Sequence, residues 1–280
     1  MQVVQTIPEL RAAVAQARAA GRTVGFIPTM GCLHAGHLAL VARARQEATF
    51  TVVSIFVNPT QFGPNEDFSR YPRTFEADRA ACANAGADLI FAPTPADFYA
   101  ADASTWVEVE GLSAGLCGEF RPGHFRGVAT VVAMLFNAVQ ADVAVFGQKD
   151  LQQLAVIRRM VRDLHFPVRL IAHETVRESN GVAMSSRNRY LSPEDFQRAT
   201  AIPAALAEAR RLVAAGTTDA GQVRASVTAR LAAEPALRLQ YVELVDRETM
   251  APVAQVTPGR CALAIACYLG NTRLIDNTEL

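Results

Sequence analysis

Apolar and polar positions divide this chain into two regimes. In the first, short apolar runs alternate with stretches whose apolar residues recur at helical spacing. The runs at 23–27, 51–57, 88–91, 143–146 and 168–172 predict strands, and the stretches at 8–20, 37–48, 74–85, 128–139 and 151–164 predict helices. Thr6 is placed to cap the first of these helices. Strand–helix alternation argues for a parallel sheet covered on both faces, with ligands at the carboxyl ends of its strands. The second regime begins after Ser192-Pro193. An alanine-rich helical pattern spans 194–215, with an interruption expected at Pro203. A helix at 220–233 and alternating strands at 239–245 and 261–269 follow. The expected architecture is α/β: a parallel-sheet domain over 1–176, then a smaller α+β domain over 177–280.

Composition narrows the class without naming it. Half the residues are hydrophobic and 19% are charged, a soluble globular profile. Twenty-seven basic residues balance 27 acidic ones, so no basic nucleic-acid surface or membrane-binding stripe is expected. The stretch Met1-Gln2-Val3-Val4-Gln5-Thr6 lacks the regions of a signal peptide, and no apolar run is long enough to span a bilayer. Five cysteines without a C-x-x-C pair read as free thiols in a reducing cytoplasm. Cys261 and Cys267 share one face of an alternating run, which suits a core role.

The strongest chemical signal is Pro28-Thr29-Met30-Gly31-Cys32-Leu33-His34-Ala35-Gly36-His37. It follows a strand and opens a helix, with the helix expected to begin near Gly36 or His37. Unpaired N–H groups and a partial positive charge make such a terminus an anion site. Imidazoles there can donate to phosphate oxygens. Two histidines at this spacing also serve as metal ligands or ordinary loop residues. Zinc needs further protein ligands, and no nearby cysteine or carboxylate pair completes a set. The H-x-G-H turn resembles the signature of the nucleotidyltransferase superfamily, whose members form adenylates or nucleotidyl products from ATP or CTP.

Four further segments carry polar chemistry. Phe146-Gly147-Gln148-Lys149-Asp150 again joins a strand end to a helix start, with Lys149 as a phosphate-directed charge. Met184-Ser185-Ser186-Arg187 sets two hydroxyls beside a guanidinium, suited to a polyphosphate, and is similar to the K-M-S-K-S loop of the same superfamily. Asn58 and Gln61 lie just beyond a strand end, and Gln152-Gln153 add amides on the helix after Lys149. Amides recognise hydroxyls and carboxylates without charge. The cationic loop 121–127, Arg121-Pro122-Gly123-His124-Phe125-Arg126-Gly127, could wall in a carboxylate. Each alone has a plain reading as a helix start, a turn or a solvated surface.

Together these segments resemble the pantoate–β-alanine ligases, nearly end to end. The shared motifs include those at 28–37, 54–62, 71–74, 121–128, 146–154 and 185–188, and the likeness runs on through Asn271-Thr272-Arg273-Leu274-Ile275-Asp276-Asn277. The resemblance implies a Rossmann-like nucleotide- and pantoate-binding domain and a C-terminal lid. It implies condensation of (R)-pantoate with β-alanine through a pantoyl adenylate, releasing AMP and pyrophosphate, with magnesium. It implies that Met30, Gly31, Cys32, Leu33, His34, Ala35, Gly36 and His37 wrap the ATP, with His37 as proton donor and His34 beside it. Gly147, Gln148, Lys149 and Asp150 would line the nucleotide, Val176 would meet adenine through its backbone, and Met184, Ser185, Ser186 and Arg187 would close over the triphosphate. Catalysis would rest on His37, His34 and Lys149. Gln61, Gln153 and Asn58 would hold pantoate, Gln61 would also border β-alanine, and Asp78 would lie near the magnesium. A cytoplasmic homodimer is implied.

The chain departs from the family at Asn180, commonly aspartate, and at Gln148, often glutamate. Asn-Gly keeps the turn chemistry but loses the charge. A nucleotidyltransferase of another substrate is the nearest rival, opposed by Gln61, Gln153 and the 121–127 segment. A silent nucleotide sensor is opposed by the intact histidines, Lys149 and Ser185-Ser186-Arg187.

Overall fold

The computed structural model describes residues 1–64 and 66–280. In chain order the elements are β1 (Gln2–Val4), α1 (Ile7–Ala19), β2 (Val24–Thr29), α2 (Ala35–Glu47), β3 (Phe50–Ile55), α3 (Phe75–Asn84), β4 (Leu89–Phe91), α4 (Pro95–Phe98), α5 (Cys117–Phe120), α6 (His124–Val139), β5 (Val143–Gly147), α7 (Leu151–Asp163), β6 (Arg169–His173), α8 (Pro193–Arg198), α9 (Ala201–Ala214), α10 (Ala220–Ala232), β7 (Leu237–Asp246), β8 (Cys261–Leu269) and β9 (Thr272–Glu279). Short 3₁₀ turns lie at Pro59–Gln61 and Ser186–Tyr190. The chain forms two compact units. The first comprises Met1–Glu110, Arg121–Gln148 and Val156–Glu174; the second comprises Gly111–Phe120, Lys149–Ala155 and Thr175–Leu280.

The first unit carries a six-stranded sheet in the order β1-β4-β3-β2-β5-β6. Its strand pairs are parallel, with Val24 opposite Phe50 and Gly25 opposite Val143. This is the Rossmann-like α/β sheet expected from the alternation of strand and helix patterns. Central strands β2 and β3 are buried along nearly their whole length because helices cover both faces. Gly25 lets α2 approach: a Cβ there would lie 3.0 Å from that of Ala48. Thr6 caps α1 as expected, its hydroxyl accepting from Glu9 N while Glu9 reaches back to Thr6 N. Helix α6 starts at His124, ahead of the expected 128, after Gly123 turns the chain at φ +80°.

The second unit holds the antiparallel sheet β7-β8-β9 and an apolar cluster with α9 and α10, including Leu206, Val223, Val227, Leu231, Leu263 and Ile265. The long helical pattern breaks at Ala199–Thr200 rather than at Pro203. Pro203 lies in the first turn of α9, where no intrahelical N–H bond is required of it. Strands β1 and β9 have no counterpart among the elements the sequence predicts. Among the described residues no helix is long and apolar enough to cross a membrane.

Candidate active site

The histidine turn is built by the first unit. β2 ends at Thr29, and the chain turns through Gly31 (φ +77°) and Cys32 (φ +50°), both left-handed. His34 is the N-cap of α2. Its Nδ1 accepts from Gly36 N at 3.1 Å, and His37 Nδ1 accepts from His34 N at 3.3 Å. The two rings lie 4.1 Å apart between centroids. An Nδ1 that accepts an N–H carries no proton, which puts the proton of each neutral ring on Nε2. Donor nitrogens at a helix N-terminus are the chemistry an anion requires.

Asp78 fixes the turn from below. This buried carboxylate accepts from Cys32 N at 2.9 Å, Leu33 N at 2.7 Å and the Thr74 hydroxyl at 3.2 Å. Expected beside magnesium, Asp78 instead has both oxygens committed to donors of the turn and of Thr74, the residue before α3. Among the described residues no three His, Cys, Asp or Glu side chains gather as a metal site. Cys32 is buried at 1% exposure, and its backbone N–H helps hold the turn on Asp78.

Gln61 stands beside this turn, its Nε2 donating to Met30 Sδ at 3.2 Å. Asn58 Nδ2 donates to Gln61 Oε1 at 3.1 Å and to Gly127 O at 3.2 Å, while Tyr99 OH donates to Asn58 Oδ1 at 2.8 Å. With its oxygen held by Asn58, Gln61 presents its amide nitrogen as a donor. Below it, His124 Nδ1 meets Gln61 O at 2.8 Å. Arg121 forms a two-pronged pair with Glu66, with Nε and Nη2 at 2.7 and 2.6 Å from the two carboxylate oxygens. Burial raises the Glu66 pKa, but the Arg121 hydrogen bonds and charge outweigh it and leave it below the ordinary range. The guanidinium of Arg121 is thus engaged by an acid of its own chain.

The second unit holds Lys149 and the 176–187 segment. Lys149 Nζ donates to Met184 O at 2.9 Å. Burial pushes its ammonium pKa down, against the opposing charges of Asp150 and Asp276. Residues 176–184 form a tight hairpin, with Met184 N donating to Val176 O at 3.0 Å and Glu178 N to Val182 O at 2.8 Å. Ser185 caps the 3₁₀ turn that follows, its hydroxyl accepting from Arg187 N at 3.3 Å. Asn180 keeps the turn chemistry: Oδ1 accepts from Val182 N at 3.2 Å, and Gly181 takes φ +87°. Its Nδ2 is buried without a hydrogen-bond partner among the described residues.

Gln152 proves structural. Buried at 6% exposure, it accepts from Cys117 N and donates to Leu112 O and Gly115 O, so its amide is spent on the 112–117 segment. Gln153 is partly buried one position further on. Gly147 ends β5, Gln148 N just beyond it donates to His173 O at 2.8 Å, and exposed Asp150 precedes α7. Sequence reasoning missed the work of Asp78 and Tyr99. His124 stands in a motif already singled out, whereas Tyr99 has no local signal.

Residues 2–279 match the model of the pantoate-beta-alanine ligase family. The chain belongs to that family. The pantoate–β-alanine ligases similar to it include the pantothenate synthetase of Moorella thermoacetica, 52% identical over 280 residues and covering 100% of this chain and 99% of the relative. Pantothenate synthetase 1 of Bradyrhizobium diazoefficiens is 53% identical, covering 100% and 98%. The solved pantothenate synthetase of Thermus thermophilus superposes with a TM-score of 0.95 at 48% identity, covering 100% and 99%. That of Francisella tularensis, a pantoate-beta-alanine ligase complexed with beta-gamma ATP and beta-alanine, gives 0.80 at 29% identity, covering 100% and 97%. Membership makes this pantoate–β-alanine ligase an ATP-dependent enzyme, and both rival readings fall away.

Proposed function

We propose that this ligase makes pantothenate in two steps at the residues described above. A carboxylate is a poor acyl donor because its leaving group would be oxide. The pantoate carboxylate attacks the α-phosphorus of ATP, pyrophosphate leaves, and a pantoyl adenylate forms. The β-alanine amine then attacks the activated carbonyl, the C–O bond to phosphate breaks, and AMP departs. The backbone and imidazoles of Met30–His37 and the charge of Lys149 stabilise negative charge on the phosphates. Gly147, Gln148, Asp150 and Val176 are assigned to the nucleoside side, and Met184, Ser185, Ser186 and Arg187 to the triphosphate. Gln61, Gln153 and Asn58 hold pantoate, with Asn58 acting through Gln61 and Gln61 also bordering β-alanine.

Magnesium fits as part of the nucleotide substrate. This ion retains waters and binds through substrate phosphates with few protein carboxylates. We assign it no ligand at Asp78, whose oxygens are committed. Residues 1–176 are read as the nucleotide- and pantoate-binding domain, 177–280 as a lid, and the enzyme as a cytoplasmic homodimer.

The observation that carries the reading is the pair of Nδ1 acceptances at His34 and His37, which holds both rings at the helix N-terminus, where donor nitrogens suit a phosphate. The test is pyrophosphate release from ATP, expected to require pantoate and not β-alanine. Release that waits for β-alanine would refute the adenylate. His37→Ala should abolish most of it.

A further inference from the structure

The Asn271–Asn277 segment resembles the family yet received no role, and most of it lies in the buried strand β9. Asp276 and Asn277 are 3% and 8% exposed, facing Ile265 and Ala264 across the β8–β9 ladder. A carboxylate and an amide in such a place are costly unless fully bonded. Their bonds run in two directions. Asn277 Nδ2 donates to Lys149 O at 2.8 Å. Asp276 accepts from Arg177 Nη1 at 2.7 Å and Nη2 at 3.1 Å, and Asn277 N donates to Asp276 Oδ1 at 2.8 Å. Arg177 Nη1 passes the link on to Gly181 O at 3.0 Å.

These contacts close a ring. From Asn277 it runs to the Lys149 backbone, through the lysine side chain to Met184 O, across the hairpin by Met184 N to Val176 O, and from the adjacent Arg177 back to Asp276. We infer that Asp276 and Asn277 are positioning residues that set Lys149 and the 176–184 hairpin relative to one another for ATP use. The inference rests on Lys149 and Met184–Arg187 meeting the nucleotide. The Asp276 carboxylate also supplies negative charge that opposes the loss of the lysine proton on burial.

A double-mutant cycle tests it, reading ATP KM and kcat by pyrophosphate release and β-alanine KM by pantothenate formation. Lys149→Met should raise ATP KM by ~10-fold or more, the scale of a lost charge-assisted hydrogen bond. Asn277→Ala should raise ATP KM by roughly 3-fold, the scale of a neutral hydrogen bond, and leave β-alanine KM unchanged. The double variant should be no worse than Lys149→Met alone, because Asn277 acts through the lysine. A double variant whose ATP KM rises by the product of the single effects would overturn the brace while sparing the role of Lys149. An unchanged ATP KM in Lys149→Met would overturn both. If Asn277→Ala does not fold, Asn277→Ser, which keeps a hydroxyl but not the reach to Lys149 O, takes its place in the cycle.

Discussion

Gly127→Ala should damage pantoate use without touching the chemistry directly. Gly127 lies in α6 against the 3₁₀ turn that carries Gln61. An added Cβ would lie 2.4 Å from Thr60 O, 2.6 Å from Thr60 C and 2.8 Å from Gln61 Cα. Ordinary carbon contacts need about 3.5 Å or more, so one element must retreat by about 1 Å. All three atoms are backbone, so no rotamer relieves the clash. The hydrogen bond from Asn58 Nδ2 to Gly127 O ties the turn to the same helix, so displacement loosens the amide that orients Gln61. Overpacking of this kind costs about 1–3 kcal/mol of stability. A misplacement of ~1 Å at a substrate-positioning group can cost ~10²-fold in rate. We therefore expect kcat/KM for pantoate to fall by up to two orders of magnitude, ATP binding without pantoate to hold, and the unfolding midpoint to drop. The assays are steady-state pyrophosphate release and denaturant unfolding. Wild-type pantoate kinetics with an unchanged midpoint would refute the argument.

Three further outcomes follow from the geometry. His34→Asn should keep the α2 cap, since asparagine is among the best N-caps, and still lose most pyrophosphate release; His34→Ala should lose the release and about 1 kcal/mol of stability as well, and an active His34→Asn would remove His34 from the chemistry. Asp78→Asn sets an amide nitrogen against an N–H of the turn and should cost ~1–3 kcal/mol together with adenylate formation; unchanged melting and turnover would deny Asp78 its holding role. Asp246, hydrogen-bonded by Arg260 and by the Thr249 and Glu248 N–H groups, has its carboxyl lowered to about 2. In this case the unfolded chain binds the proton more readily, so the stabilisation is complete above the ordinary carboxylate value and is lost as pH falls through about 2. After allowance for the exposed guanidinium it is worth ~1 kcal/mol, and Asp246→Asn should flatten that acid limb in pH-dependent unfolding.

The parallel sheet depends on patterns the sequence states openly. Apolar runs such as 51–57 suit buried strands, and the alternation with helices leaves a parallel sheet as the natural outcome. Strand β9 escapes because Asp276, Asn277 and Thr278 are buried polar residues, so its periodicity reads as a solvated loop until their hydrogen bonds are seen. The long helical pattern is expected to break at Pro203 because proline disrupts helix interiors, whereas a first-turn proline does not. At the site, the histidine turn is legible from spacing alone. Its support by Asp78 is not, since residues 46 and 45 positions apart in the chain meet through main-chain donors that almost any residue type supplies. Gln152 and Gln153 look equivalent in the sequence; only packing against the 112–117 segment separates the structural amide from its neighbour.

The five thiols, all reduced and all buried, make the chain its own opening gauge. Burial raises Cys82 to about 11 and Cys267 to about 12, so little thiolate exists at neutral pH while these residues stay covered. Because all five thiols are buried, a thiol reagent should label only molecules that have opened. Cys32 sits in the histidine turn of the first unit, and Cys261 and Cys267 lie in the sheet of the second. Mass-resolved labelling at these positions would time the breathing of the turn separately from that of the C-terminal sheet, in the unmodified enzyme and without an introduced probe.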